Sequence, residues 1–356
     1  MYTNIKTYSF QLGVLGEKKY NRIIPIFLPF EGCPHRCIFC AQDKQTGLEY
    51  GGSKISLSDN LANLFARLKK EKNTFSSEKL LPELAFYGGT FTLLPTASMQ
   101  LCLNMVKQCL AEGLISGARC STRPDAVSPA ILTKLKAAGI NLIELGVQSF
   151  SNIALSLVQR GYTQHTIKEG CYNILSAGLK LGIQLLPGMP GSTAEVFLND
   201  VEQSLEQNPV CLRFYPCLVV DGTQLADIWR KGLYQPWDIN TTVKILGKGL
   251  VRAWSKKIPV IRLSLAPENT LESSILAGPR HPSLGSMIQG EALFHLIYEK
   301  VKQIGQSPSF VCLPSFCKGF FYGHAGMLKK HWASIGINSL NIQWSNTINY
   351  GKLIFL

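Results

Sequence analysis

Residues 24–40, "IPIFLPFEGCPHRCIFC", decide both the fold and the chemistry that the sequence predicts. The run opens with an apolar stretch, "IPIFLPF", which is typical of a strand buried on both faces in a parallel sheet. Three cysteines, Cys33, Cys37 and Cys40, follow at once, and the next cysteine is Cys102. Because functional loops of parallel α/β sheets lie at the carboxyl ends of the strands, we expect this cysteine loop to form part of a site.

Further apolar runs predict more strands, and helical patterns separate them. "LANLFARLKK", for example, places Leu61, Leu64 and Leu68 on one helix face. Six strand–helix units indicate an α/β fold but are too few for an eight-fold barrel. We therefore predict a partial (β/α)6 parallel barrel with helices outside. The further runs are "LAFYGG" (84–89), "ARCST" (118–122), "LIELGVQSF" (142–150), "LGIQLLP" (181–187) and "CLRFYP" (211–216).

The regular alternation stops after about residue 262. A loop-like segment is followed by a helix through "IQGEALFHLIYEKVKQIG", a strand at "SFVCLPS", a further helix and a β-rich end. We predict a core domain at residues 1–262 and a small C-terminal α+β appendage at residues 263–356.

Composition narrows the class of protein. The 356 residues are 46% hydrophobic, enough for a large core, and the 11 cysteines stand mostly alone in apolar runs, as reduced thiols do. A short, loop-rich disulfide framework is therefore excluded. We see no signal peptide or membrane span and expect a cytoplasmic protein with no membrane partner. The net charge of +13 favours a polyanionic partner, although scattered lysines are also typical of a solvated surface.

Three clustered thiols leave several chemistries open. A structural zinc site needs four ligands, and only His35 is near enough to complete such a set. A disulfide with one free thiol suits a reducing compartment poorly. An electron-transfer [4Fe–4S] cluster normally has four cysteine ligands, so three cysteines would leave one iron open to a substrate or cofactor. The spacing favours a catalytic iron–sulfur loop, with zinc as the alternative.

The C-x3-C-x2-C spacing with Phe39 before the last cysteine resembles the signature of the radical S-adenosylmethionine (radical SAM) superfamily. The resemblance implies that Cys33, Cys37 and Cys40 hold a [4Fe–4S] cluster and that its open iron binds SAM. It also implies one-electron cleavage of SAM to methionine and a 5′-deoxyadenosyl radical, which takes a hydrogen atom from a substrate. An electron donor such as flavodoxin or ferredoxin is expected.

Residues 20–300 resemble one branch of that superfamily. "ELAFYGGTFTLLP", "STRPD", "IELGVQSF", "LLPGMPGST" and "RFYPCLVVDGTQLADIWRKGLYQPW" are similar to the radical-SAM half of the Elongator catalytic subunit and to shorter bacterial relatives that lack its acetyltransferase domain. The resemblance implies a radical SAM core domain, a C-terminal associated domain and tRNA as the substrate. The alternatives are a radical SAM enzyme for a small molecule such as a tetrapyrrole, and a non-enzymatic iron–sulfur or zinc protein that binds RNA.

The resemblance also assigns SAM contacts along the predicted strands. Core hydrogen bonding is the alternative for the polar residues among them, because a buried polar group needs a partner in either case. Arg160 is expected in the helix after the fourth strand, and Glu144 is expected to pair with a nearby base such as Arg123. The predicted SAM contacts are Phe39, Gly88, Gly89, Thr90, Ser121, Gln148, Arg160 and Gln184.

Overall fold

The computed structural model describes residues 6–12, 22–47, 56–72, 80–265, 269–348 and 350–355. The strands within these ranges are β1 (Lys6–Gln11), β2 (Ile23–Phe27), β3 (Glu83–Tyr87), β4 (Gly117–Thr122), β5 (Ile140–Gln148), β6 (Lys180–Leu185), β7 (Cys211–Phe214), β8 (Val219–Val220), β9 (Val260–Arg262), β10 (Ile275–Ala277), β11 (Phe310–Pro314), β12 (Ile342–Ser345) and β13 (Tyr350–Phe355). The helices are α1 (Gln42–Thr46), α2 (Leu57–Lys72), α3 (Thr96–Ala111), α4 (Pro129–Ala137), α5 (Asn152–Leu157), α6 (Gln164–Ser176), α7 (Ala194–Glu206), α8 (Gln224–Arg230), α9 (Ile239–Ser255), α10 (Asn269–Glu272), α11 (Leu284–Ile304), α12 (Lys318–Phe321) and α13 (Lys329–Ser334).

A parallel sheet of seven strands, in the order β2-β3-β4-β5-β6-β7-β9, forms the main body within the described ranges. Helices cover its outer face, so the predicted α/β partial barrel is confirmed. Six of the strands coincide with the predicted runs, but the seventh, β9, was missed. That strand is only three residues long and follows Lys256 and Lys257, so its apolar run is too short to stand out.

The helices follow the predicted amphipathic pattern. Phe197, Val201 and Leu205 are buried on one face of α7, which packs that face against the sheet. Asp200 falls on the same buried face. Within the described ranges, no helix is both long and apolar enough to cross a membrane.

The C-terminal segment builds a second sheet in the order β1-β13-β11-β12. Its predicted helix, strand, helix and β-rich end are all present, but its edge strand β1 comes from the start of the chain. Helix α11 packs against α9, which joins this unit to the outside of the barrel. Residues 266–268 of the predicted loop lie outside the described residues, and the boundary at residue 262 stays a prediction.

We predict that Gly351 is required to hold β1 in place. Gly351 lies opposite Phe10, and a side chain there would collide with the buried Phe10 ring. Gly351→Val should therefore lower the free energy of unfolding by about 1–3 kcal/mol, as overpacking does. Gly319→Ala, in α12 with open space around it, is the control and should be neutral or stabilising in chemical denaturation. Equal stability of the two variants would show that the Phe10–Gly351 contact does not hold β1.

Candidate cofactor-binding site

The cysteine loop leaves the carboxyl end of β2, where the sequence places it. Two tight turns shape the loop, with Cys33 N donating to Phe30 O at 3.1 Å and Cys40 N donating to Cys37 O at 3.0 Å. Residues 34–36 at its tip are exposed, whereas Cys37 is buried. The loop thus turns its thiols inward and its tip outward.

The thiols are held by residues from other elements. Cys37 Sγ accepts a hydrogen bond from Arg160 at 3.0 Å, and Cys33 Sγ lies 3.3 Å from Thr90 Oγ1. Burial, followed by repulsion from the Cys37 and Cys33 thiolates, raises the pKa of Cys40 to about 12. The three sulfurs are therefore near enough to oppose one another's ionisation, a cost that coordination to a cation removes.

Backbone of the cysteine loop touches the turn after β3. Gly88 and Gly89 have φ of 80° and 60°, and a Cβ on Gly89 would collide with the carbonyl oxygen of Glu31. Thr90 N donates to that oxygen at 2.8 Å. Gln42 joins both loops, since its Oε1 accepts from Phe30 N at 2.6 Å and from Gly89 N at 2.8 Å. Glycine is needed here because the two backbones approach so closely.

A cavity of about 1670 Å³ lies inside the half-barrel and extends from the amino ends of the strands, near Ile23 and Lys180, to the loops at their carboxyl ends. Every site residue that the sequence analysis names lines it, although these residues come from five strands and the loops that follow them. The lining residues in question are Cys33, Cys37, Phe39, Cys40, Gly88, Gly89, Thr90, Ser121, Gln148, Arg160 and Gln184.

Gln148 ends β5 in an unusual conformation. Its φ is 69° and its side chain is buried, with 6% of the residue exposed. Within the described residues, its Oε1 has no hydrogen-bond partner. Because buried amides in proteins are nearly always paired, this atom is a candidate acceptor for a ligand.

The sequence analysis expected Arg160 in a helix, and this is wrong. Arg160 lies in the loop just after α5, which ends at Leu157. This position lets it reach back over the sheet. Its guanidinium donates to Tyr162 Oη at 2.7 Å, to Gly146 O at 2.7 Å and to the Cys37 thiol. Arg160 therefore ties the cysteine loop to β5, in addition to any contact with a ligand.

A charged network fills the inner face below these loops, centred on Glu144 of β5. Its Oε2 lies 2.6 Å from Arg213 Nε, and its Oε1 lies 3.2 Å from Arg119 Nη1. Arg119 also pairs with Glu83, and Tyr87 donates to Glu144 at 3.1 Å while accepting from Arg213 at 2.7 Å. The negative charges of two carboxylates and the positive charges of two guanidinium groups thus cancel inside the barrel.

The expected pairing of Glu144 with Arg123 is wrong. Arg123 follows the end of β4 and instead pairs with Asp125 at 2.8 Å, whereas Arg119 faces inward from within β4. Burial acts to lower the pKa of Arg213, but the negative charge of Glu144 raises it, and the pKa of Arg213 lies above its ordinary value. Burial, together with the Glu144 charge, raises the pKa of Tyr87. The network therefore stays charged on both arginines.

The donor set fits an iron–sulfur cluster and SAM. Three thiols share one loop, glycine backbone lies beside them, and the unpaired amide of Gln148 faces the same cavity. His35, the alternative fourth ligand for zinc, has its Nε2 2.8 Å from the Gln159 carbonyl. In the described part of the chain, no three His, Cys, Asp or Glu side chains are arranged to hold a single metal ion.

Sequence analysis missed two residues that organise this site, Gln42 and Asp200. Gln42 stands two residues after Cys40, and its importance comes only from the backbone groups it reaches. Asp200 offered a signal, because an acidic side chain three residues after Phe197 and next to Val201 falls on an apolar helix face. In the structure it binds the segment after Gln148.

Comparison with known proteins gives the family. Residues 27–203 match the Radical SAM superfamily and residues 209–292 match the Radical_SAM C-terminal domain. A tRNA uridine(34) acetyltransferase of Methanocaldococcus jannaschii is 26% identical over 305 residues, covering 75% of this chain and 54% of the relative. Elongator complex protein 3 of Danio rerio is 27% identical over 272 residues, covering 65% and 49%. The chain therefore spans about half the length of these curated relatives.

A solved structure agrees with the fold. An N-terminally truncated archaeal Elp3 of Methanocaldococcus infernus superimposes with a TM-score of 0.56 at 20% identity, covering 80% of this chain and 63% of the other. The cysteine loop and the strands of the half-barrel fall in the order that the sequence analysis expected. The chain belongs to the radical SAM superfamily, a family of enzymes that cleave SAM reductively, and within it resembles Elongator complex protein 3.

Proposed function

We propose that this protein binds a [4Fe–4S] cluster and SAM in the half-barrel cavity, cleaves SAM reductively, and abstracts hydrogen from tRNA. The observation that carries the proposal is the meeting of three loop thiols and an unpaired buried amide in one cavity at the carboxyl ends of parallel strands. Sites of parallel α/β folds form at that edge of the sheet. Family membership supports the same reading.

Cys33, Cys37 and Cys40 would hold the cluster. A bound cluster of this kind supplies one electron for cleavage of SAM to methionine and a 5′-deoxyadenosyl radical. Neighbouring residues of the protein would orient the cysteine ligands, since Arg160 donates to Cys37 Sγ and Thr90 Oγ1 lies against Cys33 Sγ. The exposed tip at residues 34–36 is where a donor such as flavodoxin or ferredoxin would approach.

The SAM contacts proposed are those that line the cavity near the thiols. Gly88 and Gly89 present bare backbone, and Gln148 presents an amide oxygen without a protein partner. Ser121 and Gln184 stand on the inner faces of β4 and β6, beside the Glu144 network. Phe39 and Thr90 complete this wall.

The cavity leaves space for more than a cofactor. Its volume of about 1670 Å³ exceeds the roughly 300–1,000 Å³ of ordinary small-molecule pockets. The names of the relatives support tRNA as the second molecule, and so does the net charge of +13, which favours a polyanion. Because the chain matches only about half of each relative, these names do not define its reaction.

The first test concerns the cluster. Cys37→Ala should abolish the brown, oxygen-sensitive centre after anaerobic reconstitution, because a second iron loses its thiolate. Cys312→Ala, in the C-terminal sheet, should leave iron and sulfide content unchanged. A Cys37→Ala protein that still binds a full cluster, measured by iron analysis and electron paramagnetic resonance, would remove the proposed site.

The second test concerns Gln42. Gln42→Leu should remove the side-chain acceptor that the amides of Phe30 and Gly89 share, at a cost of about 1–3 kcal/mol. We expect a lower melting temperature. We also expect at least a tenfold slower release of 5′-deoxyadenosine with dithionite, because a loss of about 1.4 kcal/mol in the positioning of the two loops corresponds to a factor of ten in rate. Gln42→Glu keeps an acceptor and should retain more activity. Gln100→Leu, on the exposed face of α3, is the matched control and should match the wild type.

The third test concerns the substrate. Non-specific RNA binding weakens roughly tenfold or more between 50 and 200 mM salt, whereas base contacts preserve selectivity. A true tRNA substrate should still be preferred at about 150 mM salt and should raise the yield of 5′-deoxyadenosine above the uncoupled level. If RNA fractions do neither and a small-molecule extract, such as a tetrapyrrole fraction, stimulates cleavage, tRNA is the wrong substrate.

A further inference from the structure

The turn at the end of β5 is the most strained feature beside the proposed SAM site. Ser149 N donates to Val147 O at 2.9 Å across Gln148, whose φ is 69°. A γ-turn with a positive central φ is rare and strained for a residue with a side chain. The register between β5 and β6 shifts at this point, and Leu186 N donates to Gln148 O at 2.9 Å. Such a conformation persists only where the surroundings fix it.

Asp200 of α7 fixes the residues that follow the turn. Its Oδ2 accepts from the Ser149 hydroxyl at 2.7 Å, and its Oδ1 accepts from Phe150 N at 2.7 Å. The Ser149 oxygen in turn accepts from Ser151 N at 3.0 Å. One carboxylate therefore immobilises the backbone from the end of β5 to the start of α5.

This carboxylate is costly to keep where it is. Asp200 is 2% exposed, and burial raises its pKa to about 7, although the bonds from Ser149 and Phe150 act in the opposite direction. No basic side chain pairs with it among the residues that the structure describes. An uncompensated acidic group on an apolar helix face is unfavourable for the fold alone.

The result of the turn is the direction of the Gln148 side chain. The side chain lies over Gly146, where a Cβ would be 3.0 Å from Gln148 Nε2, and its amide lines the cavity that contains the thiols. With φ in the ordinary β region, residue 148 would continue the alternation of the strand. The turn instead leaves Oε1 buried with no protein donor in reach among the described residues.

We propose that Asp200 is a positioning residue for SAM: by holding the turn, it presents the Gln148 amide to a hydroxyl or amine of the bound molecule. This inference rests on the proposed function and deepens it. Asp200 itself does not line the cavity, so it acts through Gln148. A fold-only role would stabilise α7 against the barrel without affecting Gln148.

A double-mutant cycle separates these two roles. Asp200→Asn keeps the size of the side chain and can still accept from Phe150 N, but it removes the charged acceptor of the Ser149 hydroxyl, which must turn round to accept from the new amide. We expect the dissociation constant for SAM, measured by equilibrium dialysis on the iron-loaded protein, to rise about tenfold, as loss of one oriented hydrogen bond does. In a Gln148→Ala background the same change should have less than about a twofold effect, because its target is gone.

Two further variants distinguish a loss of SAM affinity from a general loss of stability. Ser149→Ala removes the same bond without changing α7 and should weaken SAM binding to a similar extent. Ser204→Ala, one turn along α7, loses a buried bond to the Asp200 carbonyl and should lower the melting temperature but leave SAM affinity unchanged. If Asp200→Asn does not fold, Ser149→Ala in the same cycle with Gln148→Ala decides the question.

A second readout needs no cofactor. Hydrogen exchange of the peptide that contains Ser149 and Phe150 should speed up in Asp200→Asn and stay slow in Ser204→Ala. Additive losses of SAM affinity, or no loss in Asp200→Asn, would overturn the inference while the proposed function stands. A wild-type protein that loads iron but binds no SAM would overturn the proposed function, and this inference with it.

Discussion

The charge balance around Glu144 is the constraint on which the cavity depends. In a closed eight-stranded barrel the interior is packed with branched apolar side chains and leaves no space for a ligand. Here the inner face of β5 carries a carboxylate held between Arg119 and Arg213, with Tyr87 bridging Glu144 and Arg213. Loss of one partner from a buried network of this kind costs about 3–5 kcal/mol, because a charge remains uncompensated. The network therefore lines the middle of the cavity with charged side chains in place of packed apolar ones.

The loops at the carboxyl side of this network are held by contact between backbones. Gly32 and Gly89 let the loop after β2 approach the turn after β3 so closely that a side chain on either would collide with the opposite backbone. Gln42 then accepts from both segments. The glycines thus serve the protein's own loops as much as a ligand, which sequence inspection alone did not suggest. A cluster loop held by the neighbouring strand's turn couples the position of the thiols to that of the predicted SAM contacts.

The apolar runs and the cysteine spacing predicted the features of the fold that depend on short stretches of sequence. Continuous apolar runs located six parallel strands, and the cysteine spacing located the loop at the site edge. Contacts between residues far apart in the sequence were not predicted. Strand β1, near the start of the chain, pairs with β13 near its end. Glu144 pairs with Arg119 rather than Arg123, because only Arg119 faces the inside of the barrel. Arg160 lies in a loop, not a helix, since α5 ends three residues earlier. Strand register and long-range packing determine these pairings and helix ends, and the periodicity of apolar residues in the sequence reports neither.

Part of the cavity wall comes from the Radical_SAM C-terminal match rather than from the superfamily match that precedes it. Leu263, Leu265 and Leu271 line it, together with the start of α11 at Gly285, although the superfamily match ends at residue 203. The cofactor contacts proposed here all precede residue 203, so cofactor binding and this second wall occupy separate stretches of sequence. A molecule that shares the cavity with SAM would meet the second wall directly. Leu265 and Leu271 also pack with Ala41, the residue after Cys40, and the Thr270 hydroxyl donates to Lys44 O at 2.8 Å. The second wall therefore supports the cysteine loop from the other side, so the position of the thiols depends on both stretches of sequence.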